Sequence, residues 1–267
     1  MIISASKVQG YNYSATPDMS TIGKLITWYD YRNGLNQADF SGTQRAISLA
    51  DGSSNQYQLN SPSVSNNVRR PIVYADAIGN IGNITSFTAA PSAAINKLHN
   101  GSAFLIMTVI SLNDTIGTVL SFPLSSAIGK PGINFGITPS TRRLRCLWQN
   151  DAGTNIGGFN NSADDNIIPL EEFVLIQLMY YGSGTGTNNL KYYVKSTAKS
   201  ITFNPTFGSG QASSIACFNS IGNVEFKAKM QAIYDLSGKS IAECDAFRTL
   251  AVNTLKLDSE YSSLITS

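Results

Sequence analysis

Residues 224–257 read VEFKAKMQAIYDLSGKSIAECDAFRTLAVNTLKL, and two different periods meet in them. Phe226, Ala228, Met230 and Ala232 alternate with Glu225, Lys227, Lys229 and Gln231, the period of a strand with one face on a core and one in water. After the turn DLSGK, Ser240 and Glu243 stand at capping-box spacing. In that motif the Ser side chain accepts from the backbone N–H three residues on, and the Glu side chain returns the bond. Ile241, Cys244, Phe247, Ala251 and Leu255 then recur at about 100° per residue and form one apolar stripe. The segment predicts a strand leading into a helix over 240–256, and the stripe requires an apolar surface beneath it.

That surface must be sheet, because the rest of the chain reads as strands and polar turns. LITWYDYRN (25–33) looks like a strand and GLNQADFSG (34–42) like a turn-rich loop. AFLIMTVISL (103–112) is a continuous apolar run of strand length, the pattern of a central strand buried on both faces. In RLRCLWQND (143–151), Leu144, Cys146 and Trp148 alternate with Arg143, Arg145 and Leu147, as in a half-buried strand. EFVLIQLMYYG (172–182) and NLKYYVKS (189–196) flank a Gly/Thr/Asn loop and form the clearest hairpin signal. Short strands between turns, no fixed repeat and no linker predict one all-β, two-sheet antiparallel sandwich over 25–267, carrying the C-terminal helix. Residues 1–24 are polar and weakly patterned, and read as an N-terminal arm, either flexible or a docking segment that orders only against a partner.

Composition narrows the function. The chain has 267 residues, of which 13% are charged, against about 25% in typical domains. Asn, Ser, Thr and Gly take the place of the missing charge and give a neutral, hydrogen-bonding surface. A net charge of +2 and the short run TRRLR (141–145) supply no basic patch for nucleic acid. Cys146, Cys217 and Cys244 lie far apart among apolar residues, which reads as buried free thiols rather than a metal set or disulfides. The first twenty residues lack the apolar centre of a signal peptide, and no run approaches the roughly 20 apolar residues of a membrane span.

Catalytic signals are weak. Glu171 and Glu172 are adjacent and would point to opposite faces of a strand, whereas retaining glycoside hydrolysis needs two carboxyls about 5–5.5 Å apart. Asp164 and Asp165 sit in a loop. His99 is the single histidine, has no G-x-S-x-G elbow beside it, and reads as a surface loop residue. Sugar binding needs an aromatic face for stacking and amide or carboxylate groups for the hydroxyls. Trp148 with Asn150 and Asp151 at a strand end offers such a set, and the pairs Tyr180-Tyr181 and Tyr192-Tyr193 each place one ring outward. Tyr181 and Tyr193 complete the candidate carbohydrate-binding residues. The phase of Trp148 with Leu144 and Cys146 supports the competing reading that it packs in the core.

The stretch FKAKMQAIYDLSGKSIAECDAF resembles the closing segment of bacterial and phage laminin-G-like, concanavalin-A-like jelly-roll domains, an outer strand followed by L-S-x-x-E and a short helix. ITWYDYRN…DFSG, VRRPIVYADAIGNIGNITSF and HNGSAFLIMTVISL resemble that family's opening strand and loop, its R-P segment and its following strand. The resemblance covers about residues 25 to 257 and implies a jelly-roll sandwich, but it specifies no activity. Asn and Gln replace most of the aspartates expected in the first loop, so calcium is not supported and no cofactor is expected. The resemblance implies a non-enzymatic virion protein of a bacteriophage: a head or tail fibre, appendage or decoration subunit. Such a protein is made in the host cytoplasm, forms homo-oligomers with other virion proteins around it, and has host surface glycans as candidate ligands. A bacterial carbohydrate-binding or adhesion module is the alternative, and a glycoside hydrolase a third reading.

Overall fold

The computed structural model describes residues 24–265, with the exception of 33, 54, 56, 62–69, 81–86, 90–93, 117–118, 125–131, 151, 153, 161–166, 208–214, 218 and 222–223. The arm expected at 1–24 lies outside the described residues except for Lys24.

Eighteen strands form among the described residues. They are β1 (Lys24–Asp30), β2 (Leu35–Phe40), β3 (Thr43–Leu49), β4 (Leu59–Asn60), β5 (Ile72–Val73), β6 (Ile78–Asn80), β7 (Phe87–Ala89), β8 (Phe104–Leu112), β9 (Val119–Leu124), β10 (Gly132–Thr138), β11 (Arg143–Gln149), β12 (Asn155–Asn160), β13 (Val174–Tyr180), β14 (Leu190–Val194), β15 (Thr197–Ile201), β16 (Ile215–Cys217), β17 (Asn219–Ile221) and β18 (Phe226–Asp235). Two helices follow, α1 (Ile241–Lys256) and α2 (Ser259–Ile265).

The strands build an antiparallel sandwich. One layer runs β15-β14-β13-β8-β18, with β1 and β6 side by side along the far edge of β18. The other runs β12-β11-β10-β9, passes through β16 and β17 to β7, and continues to β4, β3 and β2. β5 pairs with both β3 and β6 and joins the layers at one corner. No described helix is long and apolar enough to cross a membrane.

Two apolar clusters hold this together. Alternate residues of β8 explain why: Phe104, Ile106 and Ile110 face the space between the layers, while Leu105, Met107 and Val109 face outward. All nine residues of β8 are buried, as its unbroken apolar run predicts. The outward cluster is covered by α1, where Cys244, Phe247, Ala251 and Leu255 pack on Leu105, Leu175, Met179 and Tyr234. Phe247 meets Tyr234 edge-on, with ring centroids 5.0 Å apart. Each large apolar side chain buried this way contributes about 1.5–3 kcal/mol. The Ser240–Glu243 capping box forms as the spacing predicts, and its hydrogen bonds hold the Glu243 carboxyl below the usual range.

Four expectations are corrected. The alternation over 226–232 predicts a single buried face, yet both faces of β18 are buried. A register shift between Ala228 and Met230 marks a bulge, and one extra residue reverses the phase of everything after it. Phe226 and Ala228 therefore enter the core between the layers, whereas Met230 and Ala232 lie beneath α1. Lys229, assigned to water by the alternation, is buried at the bulge and paired with Glu260 of α2. Ile241 is left out of the buried stripe and is 42% exposed, because at the first turn the helix has not yet reached the sheet's apolar rows. Finally, 35–40 is strand rather than loop. Its polar side chains carry little β preference, but β2 pairs with β3 along its whole length. Helix α2, which continues past the predicted helix, has no strong periodic signal of its own.

Candidate functional site

The candidate carbohydrate residues separate in space. Trp148 is wholly buried between the layers and donates its indole N–H to the Leu98 carbonyl at 2.9 Å. It stacks on Phe203 with centroids 4.4 Å apart, and no ring face is left for a sugar. This corrects its assignment to a binding site, and the physical reason is its phase with Leu144 and Cys146, both also fully buried. Asn150 builds the turn after β11, its Oδ1 accepting the backbone N–H groups of Ala152 at 3.0 Å and Thr154 at 2.9 Å. Asp151 lies outside the described residues.

Tyr181 and Tyr193 do come together, on the opposite side of the molecule, and they do so under α1. Tyr181 is 2% exposed and donates its hydroxyl to the Asp245 carboxylate. Tyr193 is 6% exposed, and the Arg248 guanidinium carbon lies 3.6 Å from its ring centroid. Burial pushes both phenols up in pKa, and Asp245 adds to the rise at Tyr181. Lys191 reaches Asp245 at 3.5 Å. These rings anchor a helix to a sheet and present no open face. The outward tyrosines of the hairpin face the helix rather than solvent because the helix occupies that side of the sheet.

The acids of the hydrolase reading are also accounted for by structure. Glu172 pairs with Lys195 at 2.7 Å, and Glu171 sits in a turn with φ 59°; Asp164 and Asp165 lie outside the described residues. Asp51 accepts from the backbone of Trp28, Ser53 and Tyr57. His99 is 1% exposed rather than a surface residue. It follows a 3-10 turn, Ile95–Leu98, whose apolar side chains are buried. Cys146 and Cys244 are buried free thiols, and burial pushes both up, Cys244 to about 11.

A polar, partly covered surface lies on the outer side of β9–β12: Asn160 is exposed, Asn134, Thr138 and Arg145 are half-buried, and Ser121 and Gly136 are buried. Ile133, Phe135 and Ile137 of β10 point into the core, so Asn134, Gly136 and Thr138 point out. The register sets Thr138 opposite Arg143, Gly136 opposite Arg145 and Asn134 opposite Leu147. On the other flank, Asn160 lies opposite Arg145 and Gly158 opposite Leu147. Directly paired residues share a face, so a row runs from Ser121 of β9 through Gly136 and Arg145 to Asn160. Ser121 and Asn134 are hydrogen-bonded at 2.8 Å on the same face. Gly158 is required for the tight approach here: at φ +127° a Cβ would lie 1.9 Å from the Cys146 carbonyl oxygen.

Arg145 is the unusual member of this row. It is half-buried, and its Nε is covered and has no hydrogen-bond acceptor. No carboxylate among the described residues pairs with it, and burial lowers its pKa from the ordinary value. By contrast, Arg32 is buried between two acids, Asp30 at 2.6 Å and Asp258 at 2.8 Å. The alternation of 143–147 already places Arg145 outward. Its polar neighbours come from the adjacent strands β10 and β12, and the register that brings them together has no local signal.

No protein-family model matches the chain, and no curated protein matches it. Solved structures do. A structure of botulinum neurotoxin type C, described as dependent on interaction with two ganglioside molecules, aligns with TM-score 0.55 and 13% identity over 87% of this chain and 53% of that one. The binding domain of Paraclostridial Mosquitocidal Protein 1 aligns with TM-score 0.54 and 14% identity over 87% and 53%. Trypanosoma rangeli sialidase in complex with sialic acid aligns with TM-score 0.51 and 10% identity over 96% and 36%. At these identities the likeness is one of fold, and it places the chain among β-sandwich domains. The chain spans about half the length of the toxin structures it matches.

Proposed function

We propose that this protein is a non-enzymatic display subunit of a bacteriophage virion, a fibre, appendage or decoration protein, and that it binds host surface glycans through the outer face of β9–β12. The observation that carries the glycan part is the accessible polar set Asn134, Thr138, Arg145 and Asn160, aligned on one face by the strand register. Hydroxyl, amide and guanidinium groups stand on a rigid sheet there, and such groups can hold sugar hydroxyls in fixed geometry. The fold neighbours support the reading, since the names of two of them include gangliosides and sialic acid. The resemblance of 224–257 to phage jelly-roll domains supports the virion setting. Closed homo-oligomers suit such a role, because repeated weak sugar sites then act together.

A glycan array probed with the purified protein tests the binding, and mass spectrometry of purified phage particles tests the setting. Binding to defined saccharides that weakens on Asn134→Ala or Asn160→Ala is the expected result, together with the protein's presence in particles. A blank array overturns the glycan role, and absence from particles overturns the virion role. Turnover of a polysaccharide would overturn the non-enzymatic reading.

The match to binding domains of longer toxins favours a second reading, a carbohydrate-binding module of a bacterial protein. Saccharide binding by a protein absent from particles would select it.

A further inference from the structure

Resting on the glycan-binding reading, we infer that the β9–β12 face is selective for acidic saccharides and that Arg145 is the residue that takes the sugar carboxylate. The described arginines buried to a similar degree elsewhere are engaged. Arg32 lies between Asp30 and Asp258, and Arg248 lies over the Tyr193 ring. Arg145 has neither an acid nor a ring as partner among the described residues. It is held by packing around its covered Nε and by the flanking strands, with Gly136 on one side and Asn160 on the other.

With its Nε covered, the planar guanidinium is left its two Nη groups as a fork for a planar carboxylate. Its fixed donors lose less freedom on binding than those of a lysine would. At Gly136 the β9 backbone packs close, a Cβ there lying 2.0 Å from the Leu120 carbonyl oxygen, so approach to the fork is from the side of the exposed Asn160. Asn160 and Asn134 stand about one strand spacing away, roughly 5–10 Å, which suits the hydroxyls and amides of the same sugar ring. Partial burial strengthens the attraction, because the charge is less screened than at an open surface. It also penalises an empty site, since the covered cation then has no counter-charge.

The test compares acidic and neutral saccharides of the same length: oligogalacturonate against the neutral galacto-oligosaccharide, and sialyllactose against lactose. Each is titrated calorimetrically into the wild-type protein and into Arg145→Gln. The expected result is that at least one acidic member binds about tenfold or more tightly than its neutral counterpart, and that Arg145→Gln abolishes that preference, the acidic member losing more affinity than the neutral one. Arg145→Lys restores the preference only in part, because an ammonium cannot form the fork. An unchanged far-ultraviolet spectrum and melting temperature show that each variant is folded; should Arg145→Gln fail this check, Arg145→Lys carries the comparison. Equal binding of acidic and neutral members by the wild type overturns this inference but leaves the glycan-binding reading intact. So does a preference that survives Arg145→Gln. Binding of neither member overturns it as well, and a blank on the wider array then removes the parent reading too.

Discussion

Arg32 and Asp258 lie 226 residues apart in the chain and are joined by two hydrogen bonds, Nη1 to Oδ1 at 3.2 Å and Nη2 to Oδ2 at 2.8 Å. The same guanidinium also grips Asp30, and Asp30 accepts the Tyr261 hydroxyl at 2.9 Å. Asp258 in turn caps α2 by accepting from the Glu260 backbone at 2.9 Å. The start of the sandwich is thus fastened to its final helix by charge, in a chain where charge is scarce.

This clamp makes the end of the molecule sensitive to acid. Burial alone would raise the Asp258 carboxyl, but the Arg32 hydrogen bonds and charge outweigh it and hold the carboxyl below its ordinary value. Burial likewise opposes the Arg32 charge, and its hydrogen bonds to Asp30 and Asp258 outweigh that effect and raise its pKa. A carboxyl depressed in the folded state stabilises above its unfolded value of about 3.9 and loses that contribution as pH falls through the folded value. Asp258→Asn keeps a capping side chain but removes the charge and one of the two oxygens that accept from Arg32. It is expected to cost about 1 kcal/mol at neutral pH, given partial exposure. Thermal melts should show the gap between variant and wild type closing as pH falls below the ordinary carboxylate range. A gap that stays constant through that fall would mean the pair carries no such weight.

Phe247 and Ile241 lie on the same helix and should behave oppositely. Phe247 is 2% exposed beneath α1, and Ile241 is 42% exposed. Phe247→Ala removes a ring from a packed cluster and should cost about 3–5 kcal/mol in denaturant unfolding. Ile241→Ala should stay within about 0.5 kcal/mol. Similar losses at both would mean that the stripe read from the sequence is buried in full, against the geometry found.

The elements with strong local periods were legible before the structure. β8 was plain because seven of its nine residues are apolar and the run has strand length, the pattern of a strand buried on both faces. α1 was plain because its cap and its stripe agree. The loop between β13 and β14 was plain because glycines interrupt two apolar runs. What escaped depends on how strands pair with one another. β2 is polar and is held as a strand by β3. The bulge at Lys229 is one residue long, leaves no mark in the alternation, and yet exchanges the faces of Met230 and Ala232. The burial of Trp148, Tyr181 and Tyr193 escaped for the same reason. An aromatic side chain is an equally good core residue or sugar platform, and only the opposing layer decides which. The row around Arg145 draws on β9, β10, β11 and β12, and register across strands cannot be read from any one of them.

Trp148 provides the sharpest check on that reassignment. Its indole is fully buried, stacked on Phe203 and bonded to the Leu98 carbonyl. In a Trp28→Phe background Trp148 is the remaining tryptophan of the two in the chain, so its fluorescence can be followed alone. Emission should be blue-shifted and nearly insensitive to acrylamide, and saccharides that bind the β9–β12 face should leave it unquenched. Trp148→Phe deletes the indole donor and leaves a buried carbonyl unpaired, at a cost of about 1–3 kcal/mol. Saccharide affinity should nevertheless stay within about twofold, less than half a kcal/mol. A folded Trp148→Phe protein that loses tenfold or more in saccharide affinity would return the aromatic side chain to the binding site and remove the β9–β12 face from that role.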